Sequence, residues 1–147
     1  MMALLQRVAR AHVTNAGETV GSIDHGLLVF LCAEPDDTTA IAARMLDKIL
    51  KLRVFADTQG RMNLNVNQVE GGLLVVSQFT LAADTRKGNR PGFSQAASPE
   101  HGEAMYKHFL HLARDRHHPV ASGRFGADMQ VHLINDGPVT LPIRITE

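Results

Sequence analysis

The order of apolar patterns along this 147-residue chain predicts a mixed α+β fold. Two continuous apolar runs, "GLLVFLCA" (26–33) and "GGLLVVSQFTL" (71–81), are rich in branched side chains and read as buried strands. Two longer stretches switch to helical spacing, one near 38–52 and one from 98 to 119. The helices do not alternate regularly with the strands, which argues against a doubly wound parallel sheet.

Taken in order, "LLQRVARAHVTN" alternates weakly, and "AGETVGSI" follows across a turn at Gly17, the pattern of a hairpin. The buried run 26–33 comes next. In "EPDDTTAIAARMLDKILKLRVF" the residues Ile41, Met45, Ile49 and Leu52 recur at helical spacing, with Asp37 or Thr38 placed to cap the N-terminus. The run 71–81 is the second buried strand. "SPEHGEAMYKHFLHLARDRHHP" is the second helix: Ser98 caps it, Pro99 fits its first turn, Pro119 stops it, and Met105, Phe109 and Leu112 form its apolar stripe. Two further strands, near 127–134 and 139–145, flank "NDGP". Asn-Asp-Gly alone would make a tight turn. Pro138 removes a backbone donor where the next strand would start pairing, and it constrains Gly137 before it. It reads either as a strand-start proline or as a peptide with a role of its own.

No repeat, low-complexity segment or linker divides the chain, so residues 1–147 are expected to form one domain. A chain of this length buries roughly two thirds of its unfolded surface. No run of about 18 apolar residues is present to span a bilayer, and Arg7 and Arg10 interrupt the apolar start with no cleavage site after it. Cys32 is the single cysteine and offers neither a disulfide framework nor a zinc site; it reads as a small buried hydrophobe in a cytoplasmic protein. Fifteen basic and fifteen acidic residues balance, so net charge gives no global pull toward nucleic acid. Charge is local instead: "DTRKGNRPG" gathers Arg86, Lys87 and Arg90, as either a solvated loop or a phosphate contact.

Five of the eight histidines (101, 108, 111, 117 and 118) lie in or just after the second helix. None sits with carboxylates or cysteines at a ligand spacing, so they read as solvated helix-face residues and no metal is expected. In "SQFTL" (77–81) polar side chains end an apolar strand, where alternation would point Ser77 and Phe79 one way, and Gln78 and Thr80 the other. Such a strand end lines a pocket or simply makes ordinary edge contacts. A serine hydrolase is disfavoured, because there is no G-x-S-x-G and no histidine pairs visibly with Ser77 or Thr80. "SGRFGADMQV" (122–131) sets Phe125 and Met129 in flexible backbone, as a slot for a flat heterocycle or a loop pinned by one aromatic.

Read together, "QRV" (6–8), "GLLVFL" (26–31), "KILKLRVF" (48–55), "MNLNV" (62–66), "LLVVSQFTL" (73–81), "ADTRKGNRPGF" (83–93), "SGRFGADM" (122–129) and "NDGPVT" (135–140) resemble the bacterial D-aminoacyl-tRNA deacylase (D-tyrosyl-tRNA deacylase) family, in order and through nearly the whole chain. "SQFTL" and "NDGPVT" are the two signature motifs, both intact. The resemblance implies a compact β-rich, barrel-like domain with two flanking helices, working as a cytoplasmic homodimer on tRNA without a cofactor. It implies hydrolysis of the ester joining a D-amino acid, or glycine, to the terminal adenosine. It further implies a cis Gly137–Pro138 peptide entering the partner subunit's site and excluding L-amino acids, with Arg7 supporting that loop. Ser77, Gln78, Phe79 and Thr80 would line the amino-acid pocket, and Phe125 and Met129 the adenosine slot. Arg86, Lys87 and Arg90 would meet phosphates. Ala82, where an aromatic is common, and the stretches "GNRPGF" and "FLCAEPDD" depart from the family pattern without touching a signature motif. The alternatives are a nucleic-acid-binding module that kept the fold without the chemistry, and a generic small-ester hydrolase.

Overall fold

In the computed structural model, which describes residues 1–147, the hairpin expected at the N-terminus is the frame of the molecule. Strand β1 (Met2–Asn15) turns at Ala16 and Gly17, both with positive φ, into β2 (Glu18–Ile23). A two-residue loop of that conformation matches the twist of the flanking strands. Strand β3 (Gly26–Cys32) continues the return: Ala11 faces Ile23 and Val8 faces Gly26, so β2 and β3 follow one register along the same edge of β1.

Helix α1 (Thr39–Lys51) follows, then a short hairpin of β4 (Phe55–Ala56) and β5 (Met62–Leu64), then β6 (Gly72–Ser77). Helix α2 (Pro99–Arg116), β7 (Val120–Ser122) and β8 (Gln130–Arg144) complete the chain. β6 pairs parallel with β3 and with β7, while β8 runs antiparallel along the other edge of β1. β7 then meets β2: a Cβ on Gly21 would lie 2.5 Å from the Ser122 carbonyl oxygen. The sheet is thus a nearly closed barrel flanked by two helices, an α+β fold.

The apolar runs are continuous because both faces of β3 and β6 are covered. Leu27, Val29, Leu31, Leu73 and Val75 face a core shared with the helices, including Met45, Ile49 and Phe109. Leu28, Leu74 and Val76 face the barrel interior with Val8, Val13 and Ile23. The helix ends follow their sequence signals. Thr38, rather than Asp37, caps α1 by accepting from the Ile41 amide at 3.3 Å. Ser98 caps α2 by accepting from the His101 amide at 3.2 Å, and α2 ends three residues before Pro119.

Three expectations need correction. The strands expected near 127–134 and 139–145 are one strand, β8, and "NDGP" is not a hairpin turn. Both halves pair with β1 in the same direction, with Asn135 opposite Val8 and Thr140 opposite Gln6. Five steps along β8 therefore span two along β1, and residues 136–139 are pushed out of the ladder as an extended bulge. The strand at 71–81 stops at Ser77, and Phe79–Ala82 form a single 3-10 turn. Alternation fails beyond Ser77 for that reason. Finally, the helix histidines are not uniformly solvated: His117 is buried and His101 contacts the Asp37 carbonyl at 2.9 Å. Burial pushes the His117 pKa down, keeping the ring neutral. Its Nε2 lies 2.7 Å from the Gly71 carbonyl oxygen and its Nδ1 2.6 Å from Asn67 Oδ1; both partners are acceptors, and a neutral ring donates to one of them.

Candidate active site

A cavity of about 600 Å³ opens between the end of β6, the segment 93–102 and the loop 125–131. It brings Ser77, Gln78, Phe79, Phe125 and Met129 to one space. β6 delivers the first three. Its register with β3 ends at Leu31–Ser77, and the Gln78 amide donates to the Leu31 carbonyl at 2.8 Å. The chain then tightens into the 3-10 turn, whose bonding starts with the Leu81 amide on the Gln78 carbonyl at 3.3 Å. The amides of Phe79 and Thr80 precede that bond, as the free N–H groups with which a helical turn begins. Gln78 Nε2 donates to Thr80 Oγ1, so the two polar side chains of the turn are tied to each other. Thr80 is exposed and is not among the cavity-lining residues.

The opposite wall is held from α2. Tyr106 is buried, and its hydroxyl donates to the Val75 carbonyl at 2.9 Å and approaches the Gly123 carbonyl at 3.3 Å. Burial pushes its pKa up to about 12, so it remains a donor. Its ring lies 5.9 Å from that of Phe125, and a Cβ on Gly102 would touch Phe125 at 3.5 Å. Met129 Sδ accepts from the Arg124 amide at 3.3 Å, and only a glycine at 123 leaves room for that sulfur. The tip of the first hairpin closes this loop: Asn15 donates to the Asp128 carbonyl at 2.8 Å and accepts from Arg124 at 3.2 Å. Cys32 lies under the turn. Burial, with the nearby Glu34 carboxylate, pushes its thiol up to about 11, which makes it a poor nucleophile.

Gly137 and Pro138 do not line this cavity. They form the crest of the β8 bulge, joined by a cis peptide. Arg7 reaches beneath them: Nε donates to the Asp136 carbonyl at 2.8 Å and Nη1 to the Val54 carbonyl at 2.7 Å. The Asn135 side chain braces the other limb, accepting from the Val139 amide at 2.8 Å. Arg86, Lys87 and Arg90 lie in a separate exposed loop, closed at its base by paired Asp84 and Gly92 amide–carbonyl bonds of 2.7 and 2.9 Å. Arg86 is spoken for by Asp84, which it grips through Nε at 2.9 Å and Nη2 at 2.6 Å. Lys87 and Arg90 form no ion pair.

Two contributors escaped the sequence reading. Phe93 was visible only as the aromatic closing a basic, glycine- and proline-bearing loop, and Tyr106 only as a helix residue beside the apolar stripe. No group of three or more His, Cys, Asp or Glu side chains is arranged to hold a metal ion. No helix is long and apolar enough to cross a membrane.

Comparison with known proteins gives this geometry its context. A curated protein of Variovorax paradoxus named D-aminoacyl-tRNA deacylase is 61% identical over 145 residues, covering 99% of each chain. A solved structure named c-Myc DNA unwinding element binding protein superposes with a TM-score of 0.94 at 41% identity, covering 100% of both chains. A second, named a probable eukaryotic D-amino acid tRNA deacylase, shares the fold with a TM-score of 0.87 at 20% identity over 98% of each chain. The family model described as D-Tyr-tRNA(Tyr) deacylase matches residues 4–144, and this chain belongs to that family.

Proposed function

We propose that the chain hydrolyses the ester joining a D-amino acid to the 3′-terminal adenosine of tRNA, releasing free amino acid and tRNA. The observation that carries this reading is one cavity holding both the Ser77–Phe79 strand end and the Phe125–Met129 slot, in a member of this family. The slot suits a flat heterocycle, flanked by an aromatic ring and a soft thioether. In the reaction, water attacks the ester carbonyl and the amides of Phe79 and Thr80 receive the developing oxyanion. Losing one such donor typically costs about 2.7–4 kcal/mol of transition-state stabilisation. The neighbouring ribose hydroxyl of the substrate assists the water, and Thr80 positions the reacting group rather than forming an acyl intermediate.

Selectivity is assigned to Gly137 and Pro138. The crest stands outside its own cavity, which fits a role in the site of a second copy, with each subunit of a homodimer gating the other. Rejection by steric exclusion leaves glycine unhindered, since it has no side chain to exclude. Lys87 and Arg90, with Arg86 already paired, are the candidates for tRNA phosphates, in a cytoplasmic protein that needs no cofactor. The 41% identical neighbour named for DNA binding favours a second reading, a nucleic-acid-binding module without ester chemistry.

The test compares hydrolysis of D-Tyr-tRNA and L-Tyr-tRNA by the purified protein. Rapid loss of the D ester alone is expected. Equal rates sink the chirality gate, and binding of tRNA without any hydrolysis favours the second reading. Thr80→Ala lowers turnover; an acyl adduct trapped on wild-type Thr80 overturns the positioning role. Sedimentation as a strict monomer overturns the shared site.

A further inference from the structure

Four large apolar side chains are left exposed: Met62, Phe79, Phe93 and Ile134. Two of them are neighbours. Phe79 is 58% exposed and Phe93 37% exposed, and their rings meet edge to face with centroids 5.0 Å apart and planes at 71°. Both line the mouth of the cavity described above.

Their place along the chain is as telling as their exposure. The Asp84–Gly92 bridge returns the basic loop to its origin, so Phe93 is the first residue beyond the clasp, set against the 3-10 turn that carries Phe79. From Phe93 the chain continues along the cavity wall through Ala96, Ala97 and Ser98 to Gly102, where an added Cβ would meet the Phe125 ring at 3.5 Å. One wall therefore runs from the slot, past a solvent-facing aromatic pair, to a loop bearing two cations without ion-pair partners, Lys87 and Arg90. Aromatic faces followed by positive charge are what a single-stranded nucleic acid requires: bases stack on the rings while the backbone follows the charge.

We propose that Phe93, supported edge-on by Phe79, is a stacking platform for the base preceding the terminal adenosine of the RNA acceptor strand. Seated this way, the strand leaves the slot along the 93–102 wall, lays its penultimate base on Phe93, and carries its next phosphates toward Lys87 and Arg90. The edge-to-face contact fixes the Phe93 ring, so little rotamer freedom is lost when a base stacks on it. This inference rests on the deacylase reading for the identity of the strand, and names a base subsite that the reading leaves open.

The test uses two D-tyrosyl esters, one of adenosine and one of the trinucleotide ending in that adenosine, with Phe93→Ala, Phe93→Tyr and the wild type. Because both esters share the cavity contacts, the readout is the ratio of their kcat/KM values. Phe93→Ala lowers the trinucleotide-to-adenosine ratio by at least about fivefold, the low end of a base–aromatic stack, and Phe93→Tyr restores it. An unchanged ratio overturns the proposal, whether both esters lose activity equally or neither does. A second measurement does not depend on turnover. A non-hydrolysable amide analogue of the trinucleotide, with 2-aminopurine as the penultimate base, loses fluorescence on binding wild type and keeps it with Phe93→Ala. Quenching that is the same in both proteins overturns the stack. A wild type that hydrolyses neither ester refutes the deacylase reading, and the fluorescence comparison then decides the platform on its own.

Discussion

Gly137 joins backbone conformation to the proposed selectivity at a single residue. Its φ of +148° lies where side chains are strained, and a Cβ there would sit 2.8 Å from both the Val139 amide nitrogen and Val139 Cγ2, and 3.2 Å from Arg7 Nη2. Two of these neighbours cannot swing aside: the Val139 amide is tied to Asn135, and Arg7 is held by Asp136 and Val54. Alanine at 137 therefore moves the crest rather than its surroundings. Backbone strain of about 1–3 kcal/mol is enough to displace a loop that only a few hydrogen bonds hold. The expected outcome is a D-to-L ratio of kcat/KM reduced by about tenfold or more, each tenfold being about 1.4 kcal/mol, measured with D-Tyr-tRNA and L-Tyr-tRNA. An unaltered ratio removes Gly137 from the gate. The need for glycine here was legible from the motif. The reason for it was not, because Arg7 is 130 positions away and meets the crest only once β1 and β8 pair.

Among the elements, those with strong periodicity were readable and those shaped by pairing were not. Both helices, the first hairpin and the buried strands carry their own signals: caps, turn glycine, continuous branched runs. β4, β5 and β7 are two or three residues long and leave no periodic trace. β8 looked like two strands because Asn-Asp-Gly-Pro is turn chemistry; only the constant direction of its pairing with β1 turns it into a bulge. The clustering of the site has the same origin, since Tyr106 joins α2 to the end of β6 and to Gly123 across the sheet. Tyr106→Phe removes the hydroxyl that donates to the Val75 carbonyl and approaches the Gly123 carbonyl, while the Val75 carbonyl keeps the Gly123 amide at 3.0 Å. The expected cost is about 1 kcal/mol, a fall in Tm of roughly 2–4 °C for a chain of this size. Because Tyr106 braces Phe125 and not the 3-10 turn, KM rises more than kcat falls. A fall confined to kcat would place the hydroxyl's effect on the reacting ester instead.

At the scale of the whole molecule, the first and last strands are closed by an ionic cluster that no motif announced. Its groups come from three separate stretches of the chain, Met1, Glu34 with Asp37, and Arg144, and one is a main-chain amine. The Met1 amino group is buried, donating to Glu34 at 3.0 Å, Asp37 at 2.6 Å and the Ile145 carbonyl at 2.9 Å. Arg144 adds two bonds to the Glu34 carboxylate, at 3.1 and 2.5 Å. Burial alone would push the Glu34 pKa up, but the bonds from Arg144 and the Met1 amine prevail and hold it below its ordinary 4.5. The sign of the pH effect follows. As pH falls, the unfolded chain takes up this proton first, so the stability contributed by ionised Glu34 is complete above 4.5 and is lost as pH drops through the lower folded value. Glu34→Gln keeps the shape and removes the charge. At neutral pH it is expected to lower Tm by roughly 3–10 °C, the worth of one or two charge-assisted hydrogen bonds. In thermal melts followed by circular dichroism at successively lower pH, the gap between the two proteins narrows below 4.5, because wild-type Glu34 itself becomes neutral there. A gap that stays constant into acid would mean that the substitution acts through packing, and that the charge does not clasp the strands.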